Sequence, residues 1–443
     1  MSDVIRNSIH GLSRNFAEFT HDFQLDQAPS SVLDNAKLAI LDCLGVSVLA
    51  ASQEIGDCLR KFARANVIPG GCTVWGMDIK AGIRDAAFLN GTLAHGLDYD
   101  DRNHSSTYTL ATAIAAAESA NASGRETLAA FIVGREVRAS LDLIFSARSR
   151  GIGPGARGWH SNGILGPLAS ACSASKILKL SKKQTLAAIG LAAGACGALT
   201  RDGGTMAKPF RCGHAAVTGL TSALLAEAGF SSDETVLEGR YGLLEAVGPL
   251  SDEILDLLGK DLGVQWDLGH PLRIKPFASC TATHSGLEAM LRLLRREKIA
   301  LNEVVVIECN LRPYPLVRAQ PARGYEGRFS MPYCLAVALV YGKVSPDAFT
   351  DQRLQDPRIQ DFIHRTRHTA KEELTIILKD GSKLSEPFQP ATNLINPGQV
   401  RDKFAQSVCN VFSQEQTRNV MDRVADLEDL PSVRELTDLL RTT

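Results

Sequence analysis

Apolar residues recur at helical spacing along most of this chain, and strand patterns are concentrated in one stretch, which constrains the fold class. Two runs rich in β-branched and aliphatic residues, at 303–308 and 374–379, have the composition of strands and alternate with helical patterns. The sequence therefore predicts a mainly α protein with a large all-helical domain, residues 1–268 plus 395–443, and a smaller inserted α/β (α+β) domain, residues 269–394. The length of 443 residues also favours two domains, because one hydrophobic core seldom serves more than roughly 250–300 residues.

Two local patterns predict element ends. The segment 181–184 (SKKQ) has the arrangement of a capping box and predicts a helix that continues to about Leu199. The dipeptide Asp380-Gly381 follows the apolar run 374–379 and predicts a β-hairpin with a type I′ turn.

The balance of charge favours a small-molecule partner. The formal net charge is −1, so the chain lacks the positive field by which proteins attract nucleic acids or anionic membranes. The most apolar helical run, 107–145, contains charged residues such as Glu118 and Arg125, whereas a membrane span needs about 20 nearly uncharged residues. The chain opens with Met1-Ser2-Asp3 rather than with a secretory signal. We therefore expect a cytoplasmic protein with no nucleic-acid and no membrane partner.

We also predict no metal. None of the ten cysteines falls in a CxxC pair or a ferredoxin-like run, which argues against structural zinc and iron–sulfur clusters. Asp98, Asp100, Asp101 and His104 are of ligand types, but they lack the spacing of an HExxH motif or an EF-hand loop.

The segment 95–104 (HGLDYDDRNH) carries three carboxylates, two histidines and an arginine within ten residues. Charged groups this close to apolar helices are costly to bury unless they pair, and such pairing shifts pKa values and often marks a functional site. The alternative is that Asp-rich turns simply cap helices.

Further basic residues and histidines lie in the other long loops. They are His160 after a glycine-rich loop, Lys208 at a helix start, and Lys275, each flanked by glycine, proline or aromatic residues rather than by other charges. Taken singly each is more simply a solvated surface charge, but together with Arg102 and His104 they indicate a shared anion-binding pocket. The loop before Lys208 lacks the Walker order, so we do not expect a nucleotide.

Several motifs occur together in this chain. Their segments are DAAFLNG (85–91), HGLDYDD (95–101), GWH (158–160), GTMAKP (204–209), KPF (275–277) and RFSMPY (328–333). In this order and spacing they resemble the MmgE/PrpD family, which includes 2-methylcitrate dehydratase, cis-aconitate decarboxylase and iminodisuccinate epimerase.

The resemblance implies a helical domain built from both chain ends, a smaller α/β lid, an active site between them, a homodimer, and neither a metal nor an organic cofactor. Carried over residue by residue, it also implies a site. The implied catalytic residues are Asp98, His104, His160, Lys208 and Tyr333, and the implied substrate-binding residues are Met206, Lys275 and Arg102. Relatives usually have a longer segment than Arg102-Asn103 between Asp101 and His104, and Arg102 stands where a small hydroxyl residue is common. Arg102 therefore either adds a carboxylate clamp or fills space.

The resemblance further implies a lyase acting on a small di- or tricarboxylate, with proton transfer at the carbon next to a carboxylate. Lysines would hold substrate carboxylates, the histidines would move the proton, and Asp98 would orient and tune a histidine. We expect a dehydratase. A cis-aconitate-decarboxylase-like or epimerase activity is the alternative within the family, and a non-catalytic carboxylate-binding protein is the alternative outside it.

Overall fold

The structure is a computed structural model, and it describes residues 11–146, 153–311, 319–389 and 396–442. The protein is mainly α with small sheets, which confirms the predicted fold class. The α-helices are α1 (Leu12–Asp22), α2 (Ser30–Ala51), α3 (Glu54–Asn66), α4 (Ile83–Ala94), α5 (Ser105–Ala120), α6 (Gly124–Ser146), α7 (Ser161–Ile177), α8 (Lys182–Gly194), α9 (Ala207–Glu227), α10 (Leu243–Ala246), α11 (Asp252–Leu257), α12 (His284–Arg296), α13 (Met331–Tyr341), α14 (Asp351–Leu354), α15 (Pro357–Arg365), α16 (Pro397–Val408), α17 (Gln414–Ala425) and α18 (Arg434–Thr437). The strands are β1 (Pro69–Thr73), β2 (Lys80–Ala81), β3 (Val304–Cys309), β4 (Thr366–His368), β5 (Glu373–Leu378) and β6 (Lys383–Pro387).

Small residues let the helices of the first part pack closely. Gly219 on α9 lies against α7, where a Cβ would come within 2.5 Å of backbone atoms of Ala171 and Pro167. One large hydrophobic core results, with buried side chains from Leu12 to Ile274 and again from Val400 to Leu440. The helices near the end of the chain therefore pack on the same core as those near its beginning.

A four-stranded sheet in the order β4-β3-β5-β6 forms the centre of the second part. Strand β3 pairs parallel with β4 and antiparallel with β5, and β5 and β6 form a hairpin. Helices α12, α13 and α15 contribute with this sheet to a second hydrophobic cluster, which begins at Ala278. The division into two domains at 268/269 and 394/395 stays a prediction, and its second limit lies outside the described residues.

Two local predictions need correction. The capping box of Ser181 and Gln184 is formed, but α8 ends at Gly194 and not near Leu199. The residues after it pair with another segment: the Ala198 carbonyl accepts from His160 N (3.0 Å), and Thr200 N donates to the Gly158 carbonyl (2.7 Å). These tertiary hydrogen bonds replace the helical ones, and they position the start of α7.

The turn of the β5–β6 hairpin also differs from the prediction. A type I′ turn needs positive φ at two successive residues, whereas Gly381 has a φ of 84° and Asp380 is not among the residues with positive φ. Leu378 N donates to the Ser382 carbonyl, and Gly381 N donates to the Leu378 carbonyl, both at 3.0 Å. The loop therefore has three residues and ends in a left-handed glycine, so the type I′ prediction is wrong.

No helix within the described ranges has by itself both the length and the apolar composition to cross a bilayer. Helices α2 and α3 meet those criteria only as a pair, bent by 78° where they join.

A buried ion pair connects the end of the chain to its beginning. Lys403 on α16 lies 2.7 Å (Nζ to Oδ1) from Asp42 on α2, and its Nζ donates to the carbonyl of Tyr99 at 2.6 Å. The same ammonium group stands 3.7 Å from the centre of the Tyr99 ring. Burial raises the pKa of Asp42 to about 6 although Lys403 opposes the shift. Each charge therefore depends on the other to stay buried.

We expect Lys403→Met to lower the free energy of unfolding by about 3–5 kcal/mol, because Asp42 is left buried without its partner. The double variant Asp42→Leu/Lys403→Met removes both charges and should recover most of that loss. Urea unfolding measures both variants. Lys371→Met, which breaks an exposed pair with Glu373, is the control and should cost less than about 1 kcal/mol. A Lys403→Met protein as stable as this control would contradict the prediction.

Candidate active site

A cavity of about 490 Å³ opens where the helical part meets the segments around residues 275–282 and Phe329. Most of its lining residues are polar or charged, and they come from several separate segments of the chain. The lining residues are Asp98, Arg102, Asn103, His104, Arg138, Asp142, His160, Ser161, Thr200, Gly203, Lys208, Lys275, Cys280, Thr281, Ala282 and Phe329. The volume is in the range of small-molecule sites.

The segment between α4 and α5 supplies one wall of the cavity. Asp98 and His104 both have left-handed backbone conformations, with φ of 50° and 63°, which are uncommon for residues other than glycine. Asp101 does cap α5, since its Oδ2 accepts from Ser106 N at 3.0 Å. Arg102 N donates to the Arg273 carbonyl at 2.8 Å and so attaches the segment to the chain that leads to Lys275. The helix-cap and active-site interpretations of this acidic stretch are therefore compatible.

Asp98 binds two lysines from distant parts of the chain. Its Oδ1 lies 2.9 Å from Lys208 Nζ and 2.6 Å from Lys275 Nζ, and Lys275 also donates to the Asp98 carbonyl at 2.9 Å. Burial opposes the ionisation of Asp98, but the two ammonium groups outweigh it and hold its pKa well below the ordinary value. Burial likewise opposes the charge on Lys275, yet Asp98 and Asp100 raise its pKa. Asp98 and Lys275 are therefore both charged at neutral pH.

Asp100 binds the two histidines of the segment. Its Oδ1 lies 2.9 Å from His95 Nδ1 and its Oδ2 lies 2.8 Å from His104 Nδ1. Lys208 Nζ, which has only protons to give, stands 2.6 Å from His95 Nε2, so that nitrogen must accept. Burial is the main cause that lowers the pKa of His95 to about 3, and Lys208 adds to the shift. His95 is thus a neutral imidazole with both nitrogens in use.

His104 differs from His95 in the surroundings of its Nε2. Its Nδ1 also faces Asp100, whereas its Nε2 lies 4.0 Å from Asp98 Oδ1, too far for a hydrogen bond. Burial lowers the pKa of His104, and Asp100 opposes that shift. In the neutral ring the Nδ1 proton is donated to Asp100, which leaves a lone pair on Nε2 in a residue that lines the cavity.

His160 has the opposite tautomer. It precedes α7, and its Nδ1 accepts from Asn162 N at 3.2 Å, which places the proton of the neutral ring on Nε2. Burial, followed by the positive charges of Arg211 and Lys208, lowers the pKa of His160 well below its ordinary value. His160 can therefore donate a hydrogen bond from Nε2, whereas His104 can accept a proton.

The remaining charged residues of the cavity are Arg102, Arg138 and Asp142. Arg102 is exposed and also borders a neighbouring cavity. Arg138 is buried on α6 and forms an ion pair with Asp142, one turn further along the helix. Burial raises the pKa of the Cys280 thiol to about 11, so Cys280 is not a thiolate nucleophile at neutral pH.

The structure brings six of the eight predicted site residues to one cavity: Asp98, Arg102, His104, His160, Lys208 and Lys275. Tyr333 and Met206 are not among the described residues that line it. The Tyr333 hydroxyl donates to the Ala348 carbonyl at 2.5 Å and its ring packs near Phe349, so it is committed to the core of the second part. Met206 is partly buried against the large hydrophobic core.

Other residues also contribute to the site, although the sequence assigns them no role. His95 and Asp100 lie inside the acidic stretch 95–104, where the density of charged residues indicates a functional site. Arg138 and Asp142 lie within the most apolar helical run of the sequence, 107–145, and Phe329 lies beside Lys208, whose Nζ is 5.5 Å from its ring centre. Nothing in the local sequence of Arg138 and Asp142 distinguishes them from core or surface positions, whereas Phe329 belongs to the motif RFSMPY.

Four ligand-type residues, His95, Asp98, Asp100 and His104, offer atoms within 4.8 Å of one another, as a metal site would. Most of these atoms already have partners, because Asp98 Oδ1 binds two ammonium groups and both oxygens of Asp100 bind imidazoles. A divalent cation here would stand beside the charges of Lys208 and Lys275. The arrangement therefore suits a polyanion better than a cation.

Comparison with known proteins connects this chain to a family. The profile of the MmgE/PrpD N-terminal domain matches residues 14–252, and that of the MmgE/PrpD C-terminal domain matches residues 277–427. Cis-aconitate decarboxylase of Mus musculus is 26% identical over 465 residues, covering 98% of this chain and 94% of its own length. The Homo sapiens protein of the same name is 25% identical, covering 98% and 95%. The mitochondrial 2-methylcitrate dehydratase of Yarrowia lipolytica is 22% identical over 435 residues, covering 87% and 80%.

Asp100→Asn tests the assignment of tautomers. The amide has one acceptor oxygen in place of two, so we expect one of His95 and His104 to lose its Nδ1 hydrogen bond, and the pKa of His104 to fall because Asp100 no longer raises it. Imidazole nitrogen NMR across a pH titration reports both changes. His160 is the internal control and should keep its proton on Nε2. An unchanged or higher titration midpoint for His104 would contradict the assignment.

Proposed function

Since this chain belongs to the MmgE/PrpD family, we propose that it is a lyase that acts on a small di- or tricarboxylate by moving a proton at the carbon next to a carboxylate, with no metal or organic cofactor. One observation carries the proposal: a neutral His104 with a free Nε2 lines the same cavity as Lys208 and Lys275. The cavity thus combines a base with two cations, which is what the removal of a weakly acidic proton from a carboxylate substrate requires.

Lys208 and Lys275 bind substrate carboxylates in this proposal, and Arg102 clamps a carboxylate at the exposed side of the cavity. The two lysines share one ion-pair partner, Asp98, so one of their two positive charges is not matched by a salt bridge. Arg102 has no carboxylate partner among the described residues. An arginine can hold a carboxylate with two parallel hydrogen bonds.

His104 is the proton carrier. When its Nε2 takes a proton, Asp100 stabilises the imidazolium through the hydrogen bond at Nδ1. The lysines stabilise the negative charge that develops on the substrate carboxylate as the proton leaves, and His160 donates to a substrate oxygen from Nε2. Asp98 holds both lysines in place through ion pairs. Tyr333 and Met206 have no direct part in this scheme, because neither lines the cavity.

Dehydration is the reaction that we favour. Removal of water begins with the abstraction of a proton, for which the neutral His104 is ready. The departing hydroxyl then takes a proton from the His104 imidazolium, while His160 donates a hydrogen bond to it from Nε2. Decarboxylation is the second candidate, favoured by the names of the mouse and human relatives. It breaks a carbon–carbon bond first and then needs a proton donor for the carbanion.

The homodimer, the cytoplasmic location and the movement of residues 269–394 as a lid belong to the same proposal. Light scattering of the purified protein tests the first of these.

The direct test is incubation of the purified protein with 2-methylcitrate, citrate, cis-aconitate and iminodisuccinate in deuterated water. We expect turnover of a hydroxy acid in this set, and His104→Gln and Lys208→Ala should each lower kcat/KM roughly 10²–10⁴-fold. Lys298→Ala and His21→Gln, which change residues outside the cavity, are matched controls. A chelator should leave the rate unchanged. Absence of both turnover and deuterium exchange would exclude the enzyme, and a loss of rate with chelator would exclude the metal-free mechanism.

The pH profile separates the two candidate reactions. Burial places the pKa of His104 below its ordinary 6.5, and only the neutral form above that pKa can abstract a proton. For a dehydratase, kcat/KM should therefore rise with pH through this pKa and then level off. A decarboxylase that depends on protonated His104 would lose activity over the same interval. Measuring kcat/KM for the wild type and for Asp100→Asn, whose profile should shift to lower pH, assigns the limb to His104.

A further inference from the structure

The ion pair of Arg138 and Asp142 lines the proposed substrate cavity but has no part in the proton transfer described above. Both residues lie on α6, one turn apart. Arg138 is buried, its Nε donates to the Tyr108 hydroxyl at 2.6 Å, and its Nη1 pairs with Asp142 Oδ1. The side chain of Asp142 is 33% exposed whereas that of Arg138 is 2% exposed, so the carboxylate is the member that is open to the cavity.

This pair differs in charge from the rest of the cavity. Lys208 and Lys275 share a single carboxylate, whereas Arg138 already has one of its own in Asp142. The pair therefore adds no net attraction for a substrate carboxylate, and a carboxylate placed against Asp142 would be repelled. An ionised carboxylate only accepts hydrogen bonds.

A ligand that fills the cavity removes water from the open side of Asp142. If the ligand presents a C–H or another carboxylate there, Asp142 loses hydration without compensation, which is costly for a charged group. If the ligand presents a hydroxyl or an ammonium group, the lost water is replaced by a charge-assisted hydrogen bond. A site built in this way discriminates strongly against analogues that lack the donor.

We propose that the Arg138–Asp142 pair is a specificity element that selects polycarboxylates carrying a hydrogen-bond-donating substituent, a hydroxyl or an amino group, which Asp142 accepts. Arg138 holds the carboxylate in place and is itself held by Tyr108. This inference rests on the proposed function, because it requires that a polycarboxylate occupies the cavity.

Calorimetric titration with matched ligand pairs tests the proposal. Citrate and tricarballylate differ only in the hydroxyl, and aspartate and succinate differ only in the amino group, so the two pairs distinguish the two donors. We expect the wild-type protein to bind the donor-bearing member of at least one pair roughly tenfold or more tightly. Asp142→Asn should reduce that preference to within roughly threefold, chiefly by weakening the donor-bearing ligand.

Two further variants complete the design. Arg138→Met/Asp142→Leu removes both charges of the pair together, so no buried arginine is left without its partner, and it should also lose the preference while it stays folded. Asp361→Asn breaks a similar pair with Arg365, four residues apart on α15 and away from the cavity, and should leave the preference unchanged.

The outcomes are distinguishable. Equal affinity of the wild type for both members of each pair, or an equal weakening of both members in Asp142→Asn, would overturn this inference and leave the proposed function intact. Failure of the wild type to bind any of the four ligands, together with absence of turnover, would overturn the proposed function and this inference with it.

Discussion

The carboxylate of Asp98, held between the ammonium groups of Lys208 and Lys275, is the interaction on which the rest of this structure depends. None of these three charges could be buried alone, because the loss of hydration would exceed what burial returns. The link between α4 and α5, the first turn of α9 and the segment after Ile274 must therefore meet at one point. That meeting point joins the large helical core to the chain that enters the second hydrophobic cluster, and it forms the floor of the cavity.

Three carboxylates within four residues would repel one another if they faced the same way. The fold gives each a different set of partners: two lysines for Asp98, two histidines for Asp100, and Arg135 with the start of α5 for Asp101. The left-handed backbone at Asp98 and His104 makes these different directions possible. Arg135 also binds Asp267, and Lys403 binds the carbonyl of Tyr99, so neighbouring segments hold the strained link from both sides.

Three histidines of the site, His95, His104 and His160, differ in the hydrogen bonds of their ring nitrogens. His95 uses both nitrogens, His104 keeps a free lone pair on Nε2, and His160 carries its proton on Nε2. Each difference comes from one partner. His95 Nε2 faces the ammonium group of Lys208, His104 Nε2 has no hydrogen-bond partner among the described residues, and His160 Nδ1 accepts from a backbone N–H. The tautomer of each histidine therefore follows from hydrogen bonds to groups outside the proposed reaction. Asp142 is likewise held by Arg138, which Tyr108 holds in turn.

Periodicity and motifs in the sequence were sufficient for the mainly α fold class, for the strands at 303–308 and 374–379 to within one residue, and for the family. They also identified six residues that the structure brings to one cavity, through the concentration of charge at 95–104 and through the motifs that resemble the family. Tertiary structure alone decided the rest. The Tyr333 hydroxyl donates to the Ala348 carbonyl. Helix α8 ends where the following residues pair with the segment before α7. Arg138 and Asp142, both on α6, line the cavity. The physical reason is that local spacing determines which residues share a helix face, whereas the partner of a side chain depends on segments that meet only when the core has formed. Asp98 shows this best, because Lys208 and Lys275 both lie more than a hundred residues further along the chain.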